Sequence, residues 1–168
     1  MRNKQFLILG CLFWMNVQFA KGDEFIKNVV QLNEKDGQGK TITVLVQKAE
    51  YPSGYFYKER FWGQADHSSL VEPSLPKYLI RGFEVRMSNK PIEVPLSAFM
   101  DLSDPAQVNF YNINKDSFMI VLVGSDAAGG YKAILTFKND QLAERKVMNL
   151  EFKKTYWEET IYSWPNVK

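Results

Sequence analysis

The chain has 168 residues, with 21 Lys+Arg against 19 Asp+Glu, a single His and a single Cys. That leaves too few ligands for a zinc site and too few thiols for a disulfide. The excess of cations lies at the start, since Arg2, Lys4 and Lys21 precede residue 23 and no acid does; beyond it the balance is 18 to 19, with no electrostatic footprint for nucleic acid or an anionic membrane.

The first 22 residues read as a secretory signal. Arg2 and Lys4 form a basic start, Phe6 to Met15 an apolar run, and the stretch to Gly22 a small-residue exit. Cleavage after Gly22 places Ala20 and Gly22 at the small-residue positions; cleavage after Ala20 would put Gln18 at the outer one. The apolar run falls short of the about 20 residues that span hydrocarbon. A lipoprotein cut before Cys11, at Ile8-Leu9-Gly10-Cys11, is a minor alternative that shortens the apolar run further. The domain is therefore expected to be 23–168, exported to the periplasm or beyond. Cys11 leaves with the signal, so a core alone must hold the domain, and a chain of that size can bury about 68–70% of its unfolded surface. It contains no Asn-x-Ser/Thr sequon.

Period-two alternation dominates the chain beyond the signal, and predicts an antiparallel meander forming a curved sheet or sandwich. Strands are expected over roughly Phe25–Leu32 and Thr41–Glu50, separated by Asp36-Gly37 and Gln38-Gly39. In the second, Ile42, Val44 and Val46 share one side. The aromatic stretch Tyr51, Tyr55, Phe56, Tyr57, Phe61 and Trp62 comes next; six aromatics in twelve residues exceed what one inner face can bury. Ala65 to Pro76, with His67-Ser68-Ser69 and two prolines, reads as a long surface loop. Phe83, Val85 and Met87 alternate, and after Ser88-Asn89-Lys90 so do Ile92, Val94 and Leu96. Ser97 to Leu102 suits one helical turn with Ser97 as N-cap. Asn112 to Asp116 reads as a turn before Phe118–Val123, whose unbroken apolar run suggests a strand buried on both faces. Tyr131, Ala133, Leu135 and Phe137 alternate in the next strand. Asn139-Asp140 then makes a tight turn into Gln141–Leu150, read as strand over helix because that turn precedes it.

The C-terminal half resembles a group of uncharacterised small exported bacterial proteins. The likeness rests on Tyr131-Lys-Ala-Ile-Leu-Thr-Phe137, Asn139-Asp140-Gln141-Leu142, Arg145-Lys146-Val147 and Trp157-Glu158-Glu159-Thr160-x-Tyr162, together with Ile92 to Leu102. It covers under half the mature chain. The resemblance implies export and a compact fold, and no particular activity.

Few residues carry chemistry. His67 reads as a solvated loop residue or, alternatively, a ligand contact. Asp101 and Asp104, three apart, would share a face if helical and could then act as a carboxylate pair; Ser-Asp-Pro is also an ordinary turn starter. Glu158 and Glu159 point to opposite faces of a strand, so they cannot pair, although either can meet Arg145 or Lys146 across a hairpin. Gly124 to Gly130 lacks the Lys-Ser/Thr of a phosphate loop, and Asn33 to Gly37 lacks the carboxylate spacing of a calcium loop.

Two functions remain from the sequence. One is a non-catalytic binding or interaction module of the cell envelope, meeting an envelope protein or a saccharide through Tyr55, Tyr57, Trp62 and His67. The other is a small hydrolase built on Asp101 and Asp104. Neither calls for a metal or a cofactor.

Overall fold

In a computed structural model, the described residues are 26–51, 61–62, 76–125, 130–150 and 156–165, with the backbone alone for 26–30 and 156–157. They form two antiparallel sheets. The first holds β1 (Ile26–Lys35), β2 (Thr41–Glu50), β3 (Tyr78–Met87) and β4 (Lys90–Ile92) in that order. The second holds β5 (Pro105–Asn114), β6 (Ser117–Gly124), β7 (Tyr131–Lys138), β8 (Gln141–Asn149) and β9 (Tyr156–Ile161), again in chain order. Within each sheet every strand thus pairs with its sequence neighbour; tight turns join β1 to β2, β3 to β4, β5 to β6 and β7 to β8, as antiparallel pairing allows, whereas residues 51–77 separate β2 from β3. No helix among the described residues is long and apolar enough to cross a membrane.

The alternating side chains meet in one core. Ile42, Val44, Val46, Phe83, Val85 and Met87 line the first sheet, and Phe118, Ile120, Leu122, Ala133, Leu135, Phe137, Leu142 and Val147 the second. All are buried, and their rows coincide with the register: Val44 opposes Val85, and Ile120 opposes Leu135. The Phe118 and Phe137 rings stack with centroids 4.7 Å apart, a pairing that contributes about 0.5–1.5 kcal/mol beyond area burial. Two of the tight turns sit in left-handed backbone: Ser88 and Asn89 at φ 47° and 67°, Asn139 and Asp140 at φ 50° and 62°. Asn and Asp tolerate that conformation better than most residues.

The structure corrects the sequence expectations in the stretch after Ile92 and at Asn112. β4 stops at Ile92, so Val94 is half-buried and Leu96 is 61% exposed in a 3-10 turn, Leu96–Ala98. Pro95, which has no N–H to donate to a ladder, lies at that break. Ser97 is not the cap, because Pro95 occupies that position and makes no side-chain bond. Asn112 belongs to β5 rather than to a turn: its Nδ2 donates to Lys35 O at 2.8 Å, tying β5 to β1. In β6 Phe118, Ile120 and Leu122 face the core, and on the other face Val121 is also buried while Met119 and Val123 are half-buried, in keeping with a strand covered on both faces.

Candidate functional site

β8 should have pointed Leu142, Glu144, Lys146 and Met148 to one face. It does not, because the register slips: Thr136 pairs with Glu144, yet Phe137 pairs with Leu142, leaving Ala143 as an extra residue. Such a bulge re-aims the side chains that follow it. Arg145, opposite Leu135, therefore turns to the core side with Leu142 and Val147, and only 1% of it is exposed.

A buried guanidinium needs carboxylates, and two elements supply them. Asp101, just beyond the 3-10 turn, accepts from Arg145 Nη2 at 2.7 Å on each oxygen. Glu158 of β9, on the inner face beside Val147, accepts from Arg145 Nη1 through Oε1. Thr160 Oγ1 donates to that same oxygen at 3.2 Å, and Trp62 Nε1 donates to Oε2 at 3.3 Å. Asp101 and Glu158 keep 36% and 39% of their side chains exposed above the buried cation. One cation thus carries two anions. Burial lifts the Asp101 carboxyl above its usual range; Arg145 opposes that rise and the Glu158 charge adds to it.

Trp62 is fastened to this cluster by its backbone as well. Its N–H donates to Asp101 O at 2.8 Å, and its carbonyl accepts from Ser103 N–H at 2.9 Å and Ser103 Oγ at 2.7 Å. The indole is half-buried against the core. Nearby, Phe61 meets Tyr51 edge-on, with ring centroids 6.3 Å apart.

Asp104 has a different task. Its carboxylate accepts from the backbone N–H of Lys77 at 3.0 and 3.1 Å and of Tyr78 at 2.8 Å, at the start of β3. At φ 44° it occupies left-handed backbone that Asp accepts readily. Asp101 and Asp104 are therefore committed to separate partners, a guanidinium and a pair of backbone amides. Tyr131, at the start of β7, is fully buried, and its ring packs on Gly124: a Cβ there would come within 2.4 Å of it. Burial and then the charges of Asp104 and Asp101 hold the Tyr131 phenol in its neutral form.

Of the residues singled out from the sequence, Trp62 and Asp101 come together, joined by Glu158. Tyr55, Tyr57 and His67 lie outside the described residues, as do Cys11 and the signal segment. Glu159 faces the other side of β9 and pairs with Lys146 at 3.3 Å, the division of labour expected for adjacent glutamates. Arg145 was legible only as a hairpin partner, and nothing local marks it as a buried centre. Among the described residues no group of three or more His, Cys, Asp or Glu is placed to hold a metal. No protein-family model, curated protein or solved structure matches the chain.

Proposed function

We propose that the protein is an exported, non-catalytic binding module of the cell envelope, and that its ligand is met where Trp62, Asp101 and Glu158 converge. The observation that carries this reading is a half-buried indole held in place beside two partly exposed carboxylates by a buried arginine. Aromatic area at low entropic cost, bordered by fixed acceptors, is what recognition of a saccharide or a protein side chain requires. Preorganisation adds to it, since the groups that would contact a ligand are already ordered by Arg145 and by the Trp62 backbone.

The alternative, a carboxylate hydrolase, has less to draw on. An acid–base pair needs two carboxyl groups with unequal pKa values facing one reacting bond. Asp101 has the raised value, but Asp104 is occupied by the Lys77 and Tyr78 amides. Export rests on the amino-terminal pattern and on the resemblance to small exported bacterial proteins.

Two measurements test the proposal. Mass determination of the protein recovered from the producing cell should give an amino terminus at Asp23, or at Lys21 for cleavage after Ala20; an intact Met1 would remove the exported reading. Immobilised protein should retain an envelope saccharide or protein that Trp62→Phe releases while the variant still unfolds cooperatively with the far-UV dichroism of the parent. Equal retention by both forms would move the binding surface elsewhere.

A further inference from the structure

The turn that delivers Asp101 to the Trp62 cluster also holds two apolar side chains at the surface. Leu96 and Met100 are 61% and 43% exposed, and the Met100 N–H donates to Leu96 O at 3.0 Å. Ala98, Phe99 and Leu102 of the same stretch are buried and seat it on the core. Exposed apolar side chains are ordinary when scattered. Here the setting distinguishes them, because Met100 is followed directly by Asp101, whose carboxylate is bonded to Arg145.

The cluster itself meets solvent with acceptors. Arg145 is 1% exposed and spends Nη1 on Glu158 and Nη2 on Asp101, while Thr160 Oγ1 and Trp62 Nε1 both donate to Glu158. Those donors are committed within the cluster, whereas the two carboxylates keep lone pairs on their exposed sides. The charges do not balance either. Two carboxylates share one guanidinium, and among the described residues neither has a second cation within ion-pair distance. The same excess shows at Asp101, whose carboxyl burial lifts even with Arg145 acting against it.

These features select an occupant. An arriving cation offsets the excess charge, and an anion adds to it. A neutral polyol can donate to the same oxygens, but it then covers a charge that stays uncompensated. The apolar pair beside the carboxylates favours a cation carried on an aliphatic stem, which is how lysine and arginine side chains present theirs.

We propose that this surface docks a basic side chain of a protein partner, a lysine or an arginine, together with an apolar residue next to it. The cation meets the exposed oxygens of Asp101 and Glu158, and the stem and its apolar neighbour cover Leu96 and Met100. The inference rests on the reading of Trp62 given above and names the chemistry of the partner.

The test is an amide- and indole-shift titration of the 15N-labelled protein with four blocked dipeptides, acetyl-Lys-Leu-amide, acetyl-Arg-Leu-amide, acetyl-Gln-Leu-amide and acetyl-Glu-Leu-amide. The range runs to about 10 mM against a Kd of ~1 mM for the two basic ones. Saturable shifts are expected at the Trp62 indole and at the Leu96, Met100, Asp101 and Glu158 amides. The Gln dipeptide should bind about fivefold more weakly, and the Glu dipeptide should be silent. Glu158→Gln keeps an acceptor for Arg145 and brings the charges into balance, so the preference for Lys over Gln should fall to near parity. Met100→Gln lies outside the ion network and leaves folding intact, and it should weaken the Lys and Gln dipeptides alike, by about twofold or more. If Glu158→Gln fails to fold, the parent's own Lys-to-Gln ratio and the Met100→Gln arm decide. No saturation with the basic dipeptides, equal affinity for Lys and Gln, or a Met100→Gln protein that binds as the parent does overturns the proposal. The two readings fail separately. A neutral saccharide or an acidic protein retained by the parent and released by Trp62→Phe overturns the basic partner while upholding the Trp62 surface.

Discussion

Arg145→Met separates a structural guanidinium from a decorative one. The side chain is 1% exposed and gives two bonds to Asp101 and one to Glu158. Removing one partner of a buried ion pair costs about 3–5 kcal/mol, because the opposite charge is left uncompensated. Here the two carboxylates are 36% and 39% exposed and water re-solvates them in part, which places the cost near the lower end, about 3 kcal/mol. At roughly 3 °C per kcal/mol for a domain of this size, Tm should fall by about 9 °C. The complementary substitution sharpens the point. Asp101→Asn with Glu158→Gln strands a cation that has almost no solvent access, and should cost at least as much as Arg145→Met. Combining all three changes replaces the network by neutral groups and should recover much of the loss, since a buried charge network is often replaceable as a whole. Denaturant titration of the four proteins reads these differences directly. A loss below about 0.5 kcal/mol for Arg145→Met, the level of an ordinary surface change, would refute the buried-cation account.

The same geometry sets other outcomes. Gly124→Ala should lower stability by about 1–3 kcal/mol in thermal unfolding, because a Cβ at 2.4 Å from the Tyr131 ring forces the ring or the strand to move. Asp104→Ala strands the Lys77 and Tyr78 amides and should cost about 1–3 kcal/mol, whereas Asp104→Asn, which retains an acceptor and tolerates φ 44°, should cost less; denaturant midpoints distinguish them. Burial first of all raises the Asp101 carboxyl in the folded state above its ordinary value of 3.8. Its protonated form therefore favours folding: the contribution is present below 3.8 and is lost as pH rises through the folded-state value. Glu144 behaves oppositely. Its hydrogen bond from Lys146 lowers it below 4.5, so its contribution is present above that value and fades as pH falls through the folded-state value. Asp101→Asn should flatten the first of these slopes, measured by Tm against pH, and leave the second.

The β architecture was legible because its signal is local and repeated. Ile42, Val44 and Val46, or Tyr131, Ala133, Leu135 and Phe137, announce a buried face within a few residues. β5 escaped because it is an edge strand with Pro105 at its start and Asn109, Asn112 and Asn114 along it. Only Val108 and Phe110 pack on the core, and asparagines ordinarily punctuate strands. The Arg145 cluster escaped for a different reason. Its inward direction depends on one extra residue at Ala143, which shifts the parity of everything after it, and bulges leave little trace in composition. The division between Glu158 and Glu159 was foreseen from strand parity alone. The choice of Arg145 by Glu158 was not, because it depends on where β9 lies against β8. Likewise Asp101 and Asp104 look like a pair in sequence, yet contacts 44 and 26 or 27 positions away draw them to different partners. Partners that distant leave no mark on three neighbouring residues.

The most direct test of the account is amide hydrogen exchange at Trp62 and Ser103. Their N–H groups donate to Asp101 O and Trp62 O, which is how the indole is fixed above the buried cation. Both amides should be protected to within about tenfold of their β8 neighbours, and Arg145→Met should erode that protection at both. Exchange at the rate of an open loop in the unaltered protein would mean that Trp62 is not held there, and the binding surface proposed around it would have no foundation.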